Sequence, residues 1–144
     1  MFAVLAVALM GQAADPWTKA DLMEPSALAG QITSGKKPMV ISVAFPVLYR
    51  NRHIAGALDA NAASKPEGIA TLKKLVAGQP KDAEIVIYCG CCPMDKCPNV
   101  RPAFAALKEM GYRKIRVLNL PTNMTADWYS KNYPSEPGVA APAK

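Results

Sequence analysis

The sequence predicts an α/β fold in which helices cross over a parallel sheet, and three observations predict it. The chain has 144 residues, 51% hydrophobic and 19% charged, which suits one compact domain with a sizeable buried core. From Trp17 onward, apolar runs alternate with helical patterns, the order required when parallel strands are joined by crossover helices. Ile85-Val86-Ile87-Tyr88-Cys89 is β-branched and uncharged, as a central strand buried on both faces should be.

The elements follow in order. Ala20-Asp21-Leu22-Met23 reads as a short first strand. Pro25 opens a helix through Leu28 and Ile32 that stops at Gly35, with proline at the start and glycine past the end. Met39 to Val43 is a buried strand, Pro46 to Tyr49 begins a short helix, and His53 to Leu58 turns into another short strand. Between Lys65 and Gly78, Ile69, Leu72, Leu75 and Val76 recur at spacings of three and four, which gives a helix one apolar face. After the strand at Ile85 comes a long loop, then a helix N-capped by Asn99 that buries Val100, Phe104, Leu107 and Met110 and stops at Gly111. Pro102 is tolerated in its first turn. Ile115 to Leu118 is the last strand and a short helix holds Trp128, more often a core residue than a stacking platform. The segment 134–144, rich in proline and small residues, reads as a disordered tail, so the folded domain is expected to span 15–133.

The apolar run Met1 to Met10 is too short to cross a bilayer, and Gly11-Gln12-Ala13-Ala14 offers small residues where a signal peptidase would cut. Residues 1–14 are therefore read as a signal peptide, although no basic stretch precedes the run. The mature protein is expected in the periplasm or secreted, without a stable membrane span, where disulfides persist. The formal net charge of +6 is scattered, with no run of five basic residues, which argues against a nucleic-acid partner. Arg50 and Arg52 beside His53 form the densest basic cluster; a solvated turn is the ordinary reading and an anion site the other.

All four cysteines lie within Cys89 to Cys97, between the central strand and a helix start. In an open parallel sheet, ligands bind beyond the carboxyl ends of the strands, where the next helix directs its unpaired N–H groups. Such a place binds anions and is expected to lower the pKa of a thiol, and Cys89 at the strand end is the best candidate.

These residues carry a resemblance covering roughly Trp17 to Tyr133. The chain resembles the rhodanese-like domain family: Tyr88-Cys89 ends a strand, Ala106-Leu107 and Gly111-Tyr112 punctuate the next helix, and His53-Ile54-Ala55-Gly56-Ala57 is similar to the family's His-Ile-Pro-Gly-Ala turn. Trp128 fits the closing segment. The resemblance implies a five-stranded parallel sheet with helices on both faces. It also implies a sulfurtransferase, the thiosulfate type being the expected enzyme, in which Cys89 takes a sulfane sulfur from a small anionic donor. The sulfur is then held as a persulfide and passed to a thiol or cyanide-like acceptor, with no cofactor beyond the cysteine. His53 lies in a turn the family uses structurally, so capping or packing is expected of it.

The sequence departs from the family in three places. Thirteen positions run from Cys89 to Arg101, whereas the family's loop is much shorter and closed by an arginine. Ser42-Val43-Ala44 stands for the usual Asp-Val-Arg, and Pro121-Thr122 for the Gly-Gly after the last strand.

Cys91, Cys92 and Cys97 admit three readings. One of them resolves a persulfide or sulfenic acid on Cys89, which would add thiol–disulfide chemistry. Alternatively, Cys97 pairs with Cys91 or Cys92 and staples the loop of a non-catalytic module. Third, the thiolates bind a soft metal such as copper or zinc, although Cys-x-Cys-Cys-x4-Cys matches no standard zinc pattern. Arg101 and Lys96 are the candidate anion-binding residues, with solvated charge the alternative for each.

Overall fold

The computed structural model describes residues 14–138. Of the expected signal peptide 1–14, residues 1–13 lie outside the described residues, as do 139–144. Among the described residues no helix is long and apolar enough to cross a membrane.

In chain order the elements are β1 (Leu22–Met23), α1 (Pro25–Thr33), β2 (Met39–Ser42), α2 (Pro46–Asn51), β3 (Arg52–Ile54), β4 (Leu58–Asp59), α3 (Pro66–Val76), β5 (Glu84–Tyr88), α4 (Val100–Glu109), β6 (Lys114–Leu118), α5 (Met124–Asp127) and β7 (Ser135–Pro137). Five strands form one parallel sheet in the order β1-β6-β5-β2-β4. The uncharged run Ile85 to Tyr88 is its central strand, flanked by β2 and β6, which explains why it carries no alternation of apolar and polar residues. Side chains alternate across the sheet. Ile41, Ile85, Ile87, Ile115 and Val117 face Leu72 and Val76 of α3 and Phe104 and Leu107 of α4. Val40, Val86, Tyr88 and Leu118 face Leu28 of α1, Met124 of α5 and the fully buried Trp128.

The chain leaves β2 toward β4 on one side and leaves β5 toward β6 on the other, so the topological switch lies between β2 and β5. Open α/β sheets bind ligands at such a switch, beyond the carboxyl ends of the two strands. Here those ends are Ser42 and Tyr88, which are paired in register.

The expected disordered tail is corrected at its beginning. Ser135–Pro137 forms β7 and pairs antiparallel with β3, and Pro134 accepts hydrogen bonds from Ala55 N–H (3.1 Å) and the Trp128 indole N–H (3.1 Å). Composition reports poor apolar content, but a short segment is held when its backbone pairs and it satisfies a buried indole. His53, buried in β3, stacks on Tyr49 with ring centroids 3.8 Å apart, and its nitrogens face the Tyr49 carbonyl (3.0 Å) and the Glu136 carboxylate (3.3 Å). It packs and anchors, as expected, and turns away from the cysteines.

Candidate active site

Cys89 is the first residue beyond β5 and is 4% exposed. The chain must turn at once to leave the sheet, and Gly90 makes that turn at φ +78, beneath α5. A Cβ at Gly90 would lie 2.0 Å from Met124 Cγ, and the Gly90 carbonyl accepts from Met124 N–H at 3.1 Å. Both the left-handed backbone and the close approach require glycine here.

The rest of the loop is tied down at successive points. Met94 N–H donates to the Leu120 carbonyl (3.1 Å), and a 3-10 turn over Met94–Lys96 brings Cys97 back into the core, 1% exposed. Arg101 donates to the carbonyls of Asp95 (2.8 Å) and Cys97 (3.4 Å) and to the Asp15 carboxylate (2.5 Å), with its guanidinium 5.5 Å from the Trp17 ring. Asn99 is at the N-cap position but makes no capping bond. Its side-chain oxygen accepts from Ser64 N–H (2.9 Å), and its amide donates to Cys89 Sγ (3.4 Å). Burial forces this outcome, because a fully buried amide needs partners on both ends.

The loop draws the four thiols together, and all are free. Cys91 Sγ lies 3.3 Å from Cys89 Sγ and 3.2 Å from Cys92 Sγ. The sulfurs of Cys89, Cys91 and Cys97 are all within 4.8 Å of one another. The expected lowering of the Cys89 pKa is corrected: the thiol is pushed well above the ordinary cysteine range, first by its contact with Cys97 and then by burial. The Asn99 amide and the Cys91 backbone N–H oppose the shift without overcoming it. Cys91 is also raised by burial, and Cys92 is pushed up to about 11 by burial and by Cys91.

A crevice of about 220 Å³ opens at the switch between β2 and β5. Ser42, Tyr88, Cys89 and Gly90 form its floor, with Tyr49, Arg52 and Tyr129 in its walls. Arg52 stands 4.3 Å over the Tyr129 ring, and Tyr129 donates its hydroxyl to the Arg52 carbonyl at 2.7 Å. Neither Arg101 nor Lys96 lines the crevice: Arg101 is turned to the loop carbonyls and Asp15, and Lys96 is exposed at the end of the 3-10 turn. The cation lining the crevice is Arg52, from the basic cluster whose second reading was an anion site. Tyr129 had no sequence signal, and Asn99 was masked by its suitability as a cap.

A family model described as the rhodanese-like domain matches residues 24–120. The chain belongs to the rhodanese-like domain family. Among solved structures, this rhodanese-like chain is similar to the BH2092 protein of Bacillus halodurans, with a TM-score of 0.64 and 20% identity over 88% of this chain and 84% of that one. It is similar to the rhodanese-like domain of the Alr3790 protein of Anabaena, with a TM-score of 0.58 and 19% identity over 86% of each chain. Thiosulfate sulfurtransferase from Pseudomonas aeruginosa matches with a TM-score of 0.56 and 21% identity, over 82% of this chain and 19% of that one. At these identities the likeness speaks for the fold. No curated protein matches the chain. The α/β class, the five-stranded parallel sheet and the family are as the sequence led us to expect, and family membership supports the sulfurtransferase superfamily.

Proposed function

We propose that this rhodanese-like protein is a sulfurtransferase that takes a sulfane sulfur from a small anion of the thiosulfate class and holds it as a persulfide on Cys89. The observation that carries this reading is that Cys89, at the carboxyl end of the central strand, alone among the four cysteines lines the crevice at the topological switch. The name of the Pseudomonas aeruginosa neighbour supports the donor class. In the reaction the Cys89 thiolate attacks the outer sulfur of thiosulfate. A new S–S bond forms, the S–S bond of the donor breaks, and its electron pair leaves on sulfite. Arg52 supplies a positive charge for the donor, and the Asn99 amide and Cys91 N–H stabilise the thiolate. Mass spectrometry of the intact protein after exposure to thiosulfate tests the reading. One added sulfur, removed by dithiothreitol and absent from Cys89→Ser, is expected. Sulfur uptake by Cys89→Ser equal to that of the unaltered protein would overturn it.

A second reading is favoured by the three clustered sulfurs. A metal bound by three thiolates at about 2.3 Å holds its sulfurs about 4 Å apart, and Cys89, Cys91 and Cys97 lie within 4.8 Å of one another. A soft ion such as Cu(I) suits an all-thiolate set. Anaerobic titration with Cu(I) should then saturate at one equivalent and be abolished in Cys97→Ser, whereas binding in excess of one equivalent or an unaffected variant would remove this reading.

A further inference from the structure

The crevice gives a small donor access to Cys89, and the exposed end of the cysteine loop offers a second place where the sulfur can meet a larger acceptor. Cys89 is 4% exposed at the bottom of a crevice of about 220 Å³, so an acceptor cysteine on a folded protein would have to reach into the crevice to meet it. Cys91 is exposed, Cys92 is half-buried, and neither lines the crevice. The contacts Cys89 to Cys91 (3.3 Å) and Cys91 to Cys92 (3.2 Å) join the buried Cys89 sulfur to the exposed Cys91 and on to the half-buried Cys92.

We infer that Cys91 and Cys92 relay the sulfane sulfur outward from Cys89 and present it to a cysteine thiol of a protein acceptor. The inference rests on the reading that Cys89 takes up the sulfur. Each step is an exchange with no net oxidation. The Cys91 thiolate attacks the outer sulfur of the Cys89 persulfide, an S–S bond forms at Cys91, and the bond at Cys89 breaks with its electron pair remaining there. The proton lost by Cys91 replaces the one Cys89 gave up. Because an S–S bond is about 2 Å long, the outer sulfur on Cys89 can meet a thiol that already lies 3.3 Å from its Sγ. The same exchange passes the sulfur to Cys92 or directly to the acceptor. Donor and acceptor thus meet the protein on different surfaces, and the loop's departure from the short family form supplies the second one.

The test loads the full protein with one equivalent of thiosulfate, traps the thiols by alkylation, and locates the added sulfur by tandem mass spectrometry. The unaltered protein should carry it on Cys91 or Cys92 as well as on Cys89. In Cys91→Ser and Cys91→Ala it should remain on Cys89, and transfer to reduced thioredoxin, used as a folded protein thiol, should slow at least about tenfold. Sulfur confined to Cys89 in the unaltered protein, with thioredoxin transfer by the variants within about twofold, would overturn the relay and leave Cys89 chemistry standing. A Cys89–Cys91 disulfide with release of hydrosulfide would also overturn it, since Cys91 would then attack the inner sulfur. Added sulfur on none of the cysteines would remove the relay and the underlying reading together.

Discussion

Cys89 lies between opposing influences: Cys97 and burial favour its neutral thiol, while the Asn99 amide and the Cys91 N–H favour the thiolate. The neutral form prevails. Since the thiolate is the nucleophile, a raised pKa leaves less of it at neutral pH, and sulfur loading should keep rising with pH beyond the ordinary thiol value of about 8.5. Cys97→Ala removes the largest cause, so its profile should shift to lower pH. Loading rates between neutral and alkaline pH check this, and coincident profiles would show that Cys97 is irrelevant. Asn99 makes a second residue-scale prediction. Asn99→Ala leaves Ser64 N–H without its acceptor and removes one of the two donors to Cys89, which should cost about 1–3 kcal/mol in urea unfolding and slow loading.

The loop between β5 and α4 is long but anchored, and its anchors separate structural cations from binding ones. Gly90→Ala meets both a left-handed backbone and Met124, so it should destabilise the protein by about 1–3 kcal/mol. Equal unfolding midpoints would mean that α5 moves aside freely. Arg101 and Arg52 should part company in kinetics. Arg52→Ala should raise the KM for thiosulfate, because the charge is lost from the crevice wall. Arg101→Ala should affect the firmness of the loop more than donor binding, since its guanidinium serves Asp15 and the carbonyls of Asp95 and Cys97. The opposite pattern in steady-state assays would return the anion site to the start of α4.

For the molecule as a whole, the small β3–β7 sheet ties the segment after Tyr133 to the edge of the crevice, because β3 begins with Arg52. Ending the chain after Tyr133 would strip the Trp128 indole N–H of both its acceptors, the Pro134 carbonyl and Ser135 Oγ, and leave Ala55 N–H unpaired. Buried donors left unpaired cost about 1–3 kcal/mol each, so a fall in Tm of at least about 5 °C is expected by calorimetry. An unchanged Tm would show that the strand adds nothing to stability.

The strands and helices were legible in the sequence because periodicity, β-branching and helix-stop residues act within a few positions of one another: Ile85 to Tyr88 reads as a buried strand and Leu72 to Val76 as a buried helix face without reference to the rest of the chain. The position of Cys89, directly after the central strand, was legible for the same reason. Packing alone decided which partners surround it. Arg52 and Tyr129 reach the crevice from elements distant in sequence. Asn99 abandons its cap for Ser64 and Cys89 because it is buried, and Arg101 is captured by Asp15 and nearby carbonyls. The pKa of Cys89 reverses direction for that reason: the sequence shows a thiol near a helix start, but only the tertiary structure sets the distance to Cys97 and the depth of burial, and these outweigh the donors.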